Sequence, residues 1–308
     1  MTYFTKEKHY NTLDNYYKTL YKKKVFKIPL NGGFTCPNID GHVGYGGCSF
    51  CHAGSGDFAG NKLDSLAIQF EQGLNMMQKK WPDGYIIPYF QVNTNTYGSL
   101  EKIKSLYEEA IGLDERIVSL SIGTRPDALP LDILEYLEDL NKRMPLIVEL
   151  GLQTIHEHSA KLINRCHDLH TFDEAVKALR KRNIDVVVHI INGLPHETKA
   201  DMIETIKHLN TLDIQGIKIH MLHIMKRTKM GLDYQLSPWK VLTLDEYVDI
   251  TVTQLRYLKP SVIVHRITGD APRELLIEPT WTLKKFVVSN TIDKHMRKHN
   301  YYQGDLYV

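Results

Sequence analysis

The sequence predicts an α/β protein whose parallel strands curl around a polar lumen, and two observations predict it. First, six strand-like runs alternate with helical stretches between residues 25 and 222, the pattern of parallel strands joined by crossover helices. Second, polar residues share one side of several strands. Glu149, Gly151 and Gln153 do so on the fourth, Tyr89, Gln91 and Asn93 on the second, and Ser119 and Ser121 on the third, opposite Val118, Leu120 and Ile122. One face is polar and the other apolar enough to seat helices, which suits a curled sheet better than a flat one covered on both sides.

The elements follow in order. VFKIPLNGG (25–33) reads as a first strand ending in a glycine turn. Leu63, Leu66, Ala67, Phe70, Leu74 and Met77 then recur at helical spacing. Strands are expected at 85–93, 116–122, 146–153, 185–192 and 214–222, and helices at 99–111, 130–142, 156–163, 171–182 and 198–210. Past residue 226 the alternation changes, with a helix at 243–257, a short strand at 262–265 and a terminal helix at 284–298. This divides the chain into a core (1–225) and an extension packed on it (226–308).

Three of the four cysteines fall in CPNIDGHVGYGGCSFC, as Cys36, Cys48 and Cys51. The two-residue gap lets Cys48 and Cys51 point at one centre, and the glycine-rich loop is pliable enough to bring Cys36 to it. Three thiolates leave a corner open on tetrahedral zinc or on a four-iron cluster. A structural zinc site would need a fourth ligand, which Cys166 or His52 could supply. Disulfides would leave one of the three unpaired, and a dinucleotide loop would need a helix where the cysteines stand.

Phe50 and the Cys48-x-x-Cys51 pair resemble the cluster loop of the radical S-adenosylmethionine (SAM) enzymes. The eleven-residue first gap departs from their commonest three-residue gap. It is similar to that of a bacterial subgroup, the YtqA/YhcC-type proteins, related to the catalytic subunit of Elongator. GGFTCPNIDG, GSGDFAG, YFQVNTNTY, GTRPD, ELGLQT, INGLPHET, HRITGDAP and PTW extend the resemblance almost end to end. It implies an open (β/α)6 partial TIM barrel with a C-terminal α/β extension and the cofactor across the C-terminal strand ends. It also implies that Cys36, Cys48 and Cys51 hold a [4Fe-4S] cluster whose fourth iron is chelated by SAM, and that SAM is cleaved to a 5'-deoxyadenosyl radical.

Polar groups at strand ends are the candidates for SAM: Gln91, Asn93, Thr94 and Asn95 after the second strand, and Glu149 and Gln153 on the fourth. A charged residue such as Glu149 is seldom buried in mid-strand without a partner. Phe50 and the stretch of Ile190, Asn192 and Gly193 are expected to frame the adenine. Arg125, in GTRPD, can bind a carboxylate or phosphate, or else bridge to Asp127. His189 and His220 lie within strands and can face the lumen. His265 and Arg266, in HRITGDAP, are read as substrate or closing contacts.

The 308 residues carry a formal charge of +2, which neither requires nor excludes a nucleic-acid partner. Lys18, Lys22, Lys23 and Lys24 interleave with Tyr16, Tyr17 and Tyr21, and Lys284, Lys285, Lys294, Arg297 and Lys298 gather near the end. Such runs can bind phosphates and stack bases, or simply form solvated helix faces. No apolar run is long enough to span a bilayer and no signal segment opens the chain, so a cytoplasmic home without membrane contact is expected. The resemblance further implies tRNA as partner, an external electron donor such as a flavodoxin or ferredoxin, and conversion of 5-carboxymethylaminomethyluridine at the wobble position to the 5-aminomethyl form. Rival readings are the same chemistry on a protein or small metabolite, and a zinc-stabilised RNA-binding module without catalysis.

Overall fold

The computed structural model describes residues 2–52, 54 and 56–308. Nine strands are present among them: β1 (Val25–Leu30), β2 (Tyr85–Phe90), β3 (Leu120–Thr124), β4 (Leu146–Gln153), β5 (Asp185–Asn192), β6 (Gly216–Met221), β7 (Ile224–Met225), β8 (Ile263–Arg266) and β9 (Leu276–Glu278). The helices are α1 (Leu13–Tyr21), α2 (Leu66–Gln78), α3 (Leu100–Ile111), α4 (Leu131–Asn141), α5 (Glu157–Leu162), α6 (Leu169–Arg180), α7 (Lys199–Leu209), α8 (Lys229–Leu236), α9 (Leu244–Tyr257) and α10 (Lys285–His299). No helix among the described residues is long and apolar enough to cross a membrane.

Seven parallel strands in the order β1-β2-β3-β4-β5-β6-β8 form the main sheet. The strands of this sheet follow one another in chain order, with only the short β7 set aside between β6 and β8, so every crossover runs the same way and the sheet curls into a half-barrel. The expected partial barrel is therefore present, with one strand more than the six read from the core. The short strand assigned to the extension pairs with β6, Gly216 opposite Ile263, and joins the sheet. Helix α9 is its crossover and packs on α7 and α10. Strands β7 and β9 form a separate antiparallel ribbon.

Period-two patterning sets the two faces. Outward residues such as Ile28, Phe90, Leu120, Ile122, Val148, Leu150, Val188 and Ile219 are buried against the helices. Side chains cap the helix starts where the sequence offers them, Ser65 for α2, Ser99 for α3, Asp168 for α6, and Thr198 and Thr243 in capping boxes for α7 and α9. Asp168 starts α6 two residues before the expected boundary. The third strand begins later than expected, because Asp114 turns the chain by accepting from Arg116 N at 2.8 Å and only an isolated bridge links Ile117 to Ile86.

Inside the barrel, Val25, Ile87, Ile147 and Val187 make an apolar floor with Tyr17 of α1. That helix packs on both outer strands, β1 and β8, with a bridge between Thr12 and Val264. Tyr16 and Tyr21 pack at its margin, and Lys18 and Lys24 both pair with Asp14. The basic and aromatic stretch is thus a plug for the narrow end of the lumen. Tyr17 is buried in that plug, and Tyr16 and Tyr21 are half-buried against it.

Candidate active site

Two residues along each strand from the floor, the lumen turns polar: Lys27 follows Val25, Tyr89 follows Ile87, Glu149 follows Ile147 and His189 follows Val187. Glu149 is 1% exposed. One of its oxygens accepts from Lys27 Nζ at 2.5 Å and Ser121 Oγ at 2.8 Å. The other accepts from His189 Nε2 at 2.6 Å and from Lys218 Nζ. The ring of Tyr89 lies between the two ammonium groups, 4.8 Å from Lys27 Nζ and 4.7 Å from Lys218 Nζ.

Burial alone would raise the Glu149 pKa, but Lys218, Lys27 and His189 outweigh it and hold the carboxyl well below its usual range. Burial, with Lys27 adding and Glu149 opposing, brings Lys218 down to about 8. Burial and the nearby cations keep His189 and His220 below their ordinary value, so both rings are neutral.

One turn of the pleat higher, at the C-terminal strand ends, lies a cavity of about 350 Å³. The three cysteines line it on one side, and Lys218, His189 and His220 line it at depth. The loop that carries the cysteines is held from two directions. Asn38 donates to Asn164 O at 2.6 Å and lies 3.7 Å from Cys48 Sγ. Asn164 in turn donates to Tyr45 O at 3.1 Å and Gly47 O at 2.8 Å, and Ser49 N donates to Ile163 O at 2.9 Å. Gly46 and Gly47 have φ of +75° and +77°, which lets the loop double back between these anchors. Behind it Arg165, 1% exposed, donates to Leu152 O and Thr154 O at 2.8 and 2.6 Å and to His167 O at 2.9 Å, pinning the end of β4.

The donor set fits a cluster better than a single ion. A tetrahedral zinc with bonds of about 2.3 Å gathers its sulfurs within roughly 4 Å of one another. Among the described residues, the three thiols are not part of any group whose ligand atoms all lie within 4.8 Å. Thiolates that each hold a different iron stand further apart. Burial and the neighbouring Cys51 push the Cys48 thiol up to about 12, so its thiolate needs a bound cation. The two candidate fourth ligands of the zinc reading each have another partner. Cys166 is exposed with its sulfur 3.3 Å from Asn164 Oδ1, and His52 pairs with Asp57 at 2.8 Å.

The remaining expected site residues divide. Phe50, Gln91, Asn93, Thr94, Arg125, Glu149, Gln153 and Arg266 all border the cavity. Thr94 Oγ1 is buried there without a partner among the described residues. The Gln153 side chain folds back over Gly151, where an added Cβ would come within 2.7 Å of it. Arg125 is held by Asp127 in a two-pronged pair of 2.9 and 2.7 Å, and Arg266 is paired with Asp270.

Five expected residues are turned elsewhere. Asn95 is fully buried and donates to Phe90 O and Gly123 O, which shapes the loop after β2. Ile190 faces the helices in the outer core, since the lumen-facing parity on β5 belongs to His189 and Ile191. Asn192 shares that outward parity and exchanges hydrogen bonds with Gln254 of α9 at 2.7 and 2.9 Å. Gly193, at φ +91°, turns the chain away beside Leu242. His265 lies at floor level over Gly216, beside Val187, and does not border the cavity. Lys27, Lys218, Asn38, Asn164 and Arg165 were not expected. The two lysines carry the same signal as Glu149, a charge at inward parity in mid-strand.

The comparisons agree with this geometry. The profile of the radical SAM superfamily matches residues 42–209, and that of the radical SAM C-terminal domain matches residues 214–298. YtqA of Bacillus subtilis is 48% identical over 306 residues, covering 99% of this chain and 95% of its own. YhcC of Escherichia coli is 33% identical over 280 residues, 91% of this chain and 89% of its own. The tRNA uridine(34) acetyltransferase of Methanocaldococcus jannaschii is 24% identical over 207 residues, 65% of this chain but 36% of its own. In fold, the Elp3 structure from Methanocaldococcus infernus superposes with a TM-score of 0.68 at 17% identity, over 91% of this chain and 64% of that one. A curled parallel sheet with three thiols gathered at its C-terminal rim, and end-to-end likeness to YtqA and YhcC, make this chain a member of the radical SAM superfamily, whose cofactors are a [4Fe-4S] cluster and SAM.

Proposed function

We propose that this enzyme modifies tRNA, converting 5-carboxymethylaminomethyluridine at the wobble position to 5-aminomethyluridine. The observation that carries the reading is the shape of the lumen. Its narrow end is sealed by Tyr17 and the apolar floor, its depth is cationic, and its mouth is bordered by half-exposed Ile39 and Phe58. Such a cavity takes an anionic arm from above while the base that bears it stays near the rim, where an exposed aromatic ring can stack. The likeness to a tRNA uridine(34) acetyltransferase supports a wobble uridine as that base.

Held by Cys36, Cys48 and Cys51, the cluster with SAM supplies a 5'-deoxyadenosyl radical able to take a hydrogen atom from carbon. We assign the unpartnered Thr94 hydroxyl, with Gln91, Asn93 and the Gln153 amide, to the polar groups of SAM, and Phe50 to one face of its adenine. The buried lumen excludes water from the reacting carbon. Loss of a hydrogen atom from the carbon between nitrogen and carboxylate to the 5'-deoxyadenosyl radical, then of one electron back to the oxidised external carrier, gives an iminium; water cleaves it to the aminomethyl base and glyoxylate. The electron for SAM cleavage comes from a flavodoxin or ferredoxin.

Two measurements test this. Wobble nucleosides of a strain lacking the protein should accumulate the carboxymethyl form by mass spectrometry. Purified enzyme with SAM, reductant and that tRNA should release glyoxylate and 5'-deoxyadenosine in equal amounts. An unchanged nucleoside profile removes the proposal.

A further inference from the structure

We propose that Lys218, with His220 beside it on β6, is the receptor for the carboxylate of the arm this enzyme removes. The identity of the arm rests on the function proposed above, whereas the receptor rests on the charges of the lumen.

Two ammonium groups, Lys27 and Lys218, share the single carboxylate of Glu149. Their side chains are only 18% and 11% exposed, so water compensates the excess positive charge poorly. The two lysines are not equivalent. Lys27 spends its donors on Glu149 and on Ser121 Oγ at 2.9 Å and does not border the cavity. Lys218 does border it, and among the described residues its one hydrogen-bond partner is Glu149, which leaves two N–H groups for a ligand. Two residues further along the same strand, His220 faces the same way. Its Nε2 is buried without a hydrogen-bond partner among the described residues, and its ring centroid is 5.2 Å from that of His189. A neutral His220 can carry its proton on Nε2 and donate it to an anion that Lys218 holds.

The two arginines are poorer receptors. Asp127 takes Arg125 in a two-pronged pair, and Asp270 takes Arg266 while also accepting from Lys285 at 2.7 Å. A second carboxylate at Lys218 would balance the lumen charge and complete the hydrogen bonding of His220 together. Carboxylates reach this cavity from two sources, the substrate arm and SAM itself, and the structure favours the arm. Lys218 lies at depth in the charged layer, whereas the cysteines that would anchor SAM stand on the rim.

The test uses the holoenzyme with SAM bound, under anaerobic conditions. Affinity is measured for tRNA bearing the carboxymethylaminomethyl group and for the same tRNA bearing the aminomethyl group. The native enzyme should prefer the former by about tenfold or more, the effect expected of a buried charge-assisted pair. Lys218→Gln should abolish the preference and Lys218→Arg should keep part of it, with SAM affinity by equilibrium dialysis unchanged in both. A preference that survives in Lys218→Gln overturns the assignment. So does a loss of SAM affinity in that variant, which would give Lys218 to the cofactor's carboxylate.

A second arm needs no RNA. Sarcosine, which carries the same aminomethyl-carboxylate unit, should raise the melting temperature of the native holoenzyme, and methylamine should not. Neither should act on Lys218→Gln. Success here with no tRNA binding would keep the receptor and remove the RNA reading; equal shifts by the two amines, or equal shifts in both proteins, would remove the receptor.

Discussion

Replacing Glu149 by Gln should be among the costliest single changes in this protein. The substitution keeps shape and volume but removes the only carboxylate shared by Lys27, Lys218 and His189, leaving two ammonium groups around the Tyr89 ring. Breaking a buried ion pair from one side costs about 3–5 kcal/mol. With an unfolding entropy of about 2.1 cal/mol/K per residue, a chain of this length loses roughly 5–8 °C of melting temperature. The deficit has a pH signature. Without Glu149, Lys218 sheds its proton more readily, and the loss of that charge relieves the repulsion, so the gap to the native protein should narrow as pH rises from 7 to 9. A second change should rescue the first: Glu149→Gln with Lys218→Met leaves one cation and should recover much of the lost stability. Thermal unfolding of the four proteins at several pH values provides the cycle. A melting temperature within about 1 °C of native for Glu149→Gln at pH 7 would show the lumen charges to be solvated, and the reasoning above would fail.

Further outcomes follow from the same geometry. Affinity for the carboxylate-bearing tRNA should fall as pH rises through about 8, because Lys218 must be protonated to bind and burial has already brought it down to that value. Of the groups facing Lys218, the Glu149 carboxyl and the His189 and His220 rings are all held below their ordinary values and so beneath that window, and a flat profile from pH 7 to 9 counts against Lys218. Asn164→Gly keeps the left-handed backbone at φ +53° but removes the amide that grips Tyr45 O and Gly47 O, so iron retained after reconstitution should drop while melting of the barrel changes little. Tyr17→Ala should do the reverse. It opens a cavity in the floor at a cost of about 3–5 kcal/mol, with iron content unaffected.

Most of the barrel was legible because strand parity is a local property. The run from Leu146 to Gln153 shows it plainly: Val148, Leu150 and Leu152 are fully buried outside, while Glu149 and Gln153 face in. Parity also fixes the side chains of Ile190 and Asn192, since His189 facing inward obliges both to face outward. Asn95 is a different case. A polar residue after a strand serves a ligand or its own loop equally well in sequence, and only the carbonyls of Phe90 and Gly123 decide between them. Asn38 and Asn164 were invisible because they act on backbone carbonyls of a segment more than a hundred residues away, and backbone leaves no mark in composition.

By itself the sequence determined the order of the β/α units, the inward face of the second, third and fourth strands and the three thiols near the first strand end. These depend on neighbours a few residues apart. Only the tertiary structure decided that a seventh strand joins the sheet, that the tyrosine-rich helix plugs the lumen, and that Glu149 meets Lys27 and Lys218, 122 and 69 residues distant. The physical reason is that a buried charge takes its partner from whatever the curl of the sheet brings opposite it, and curvature is a property of all seven strands together.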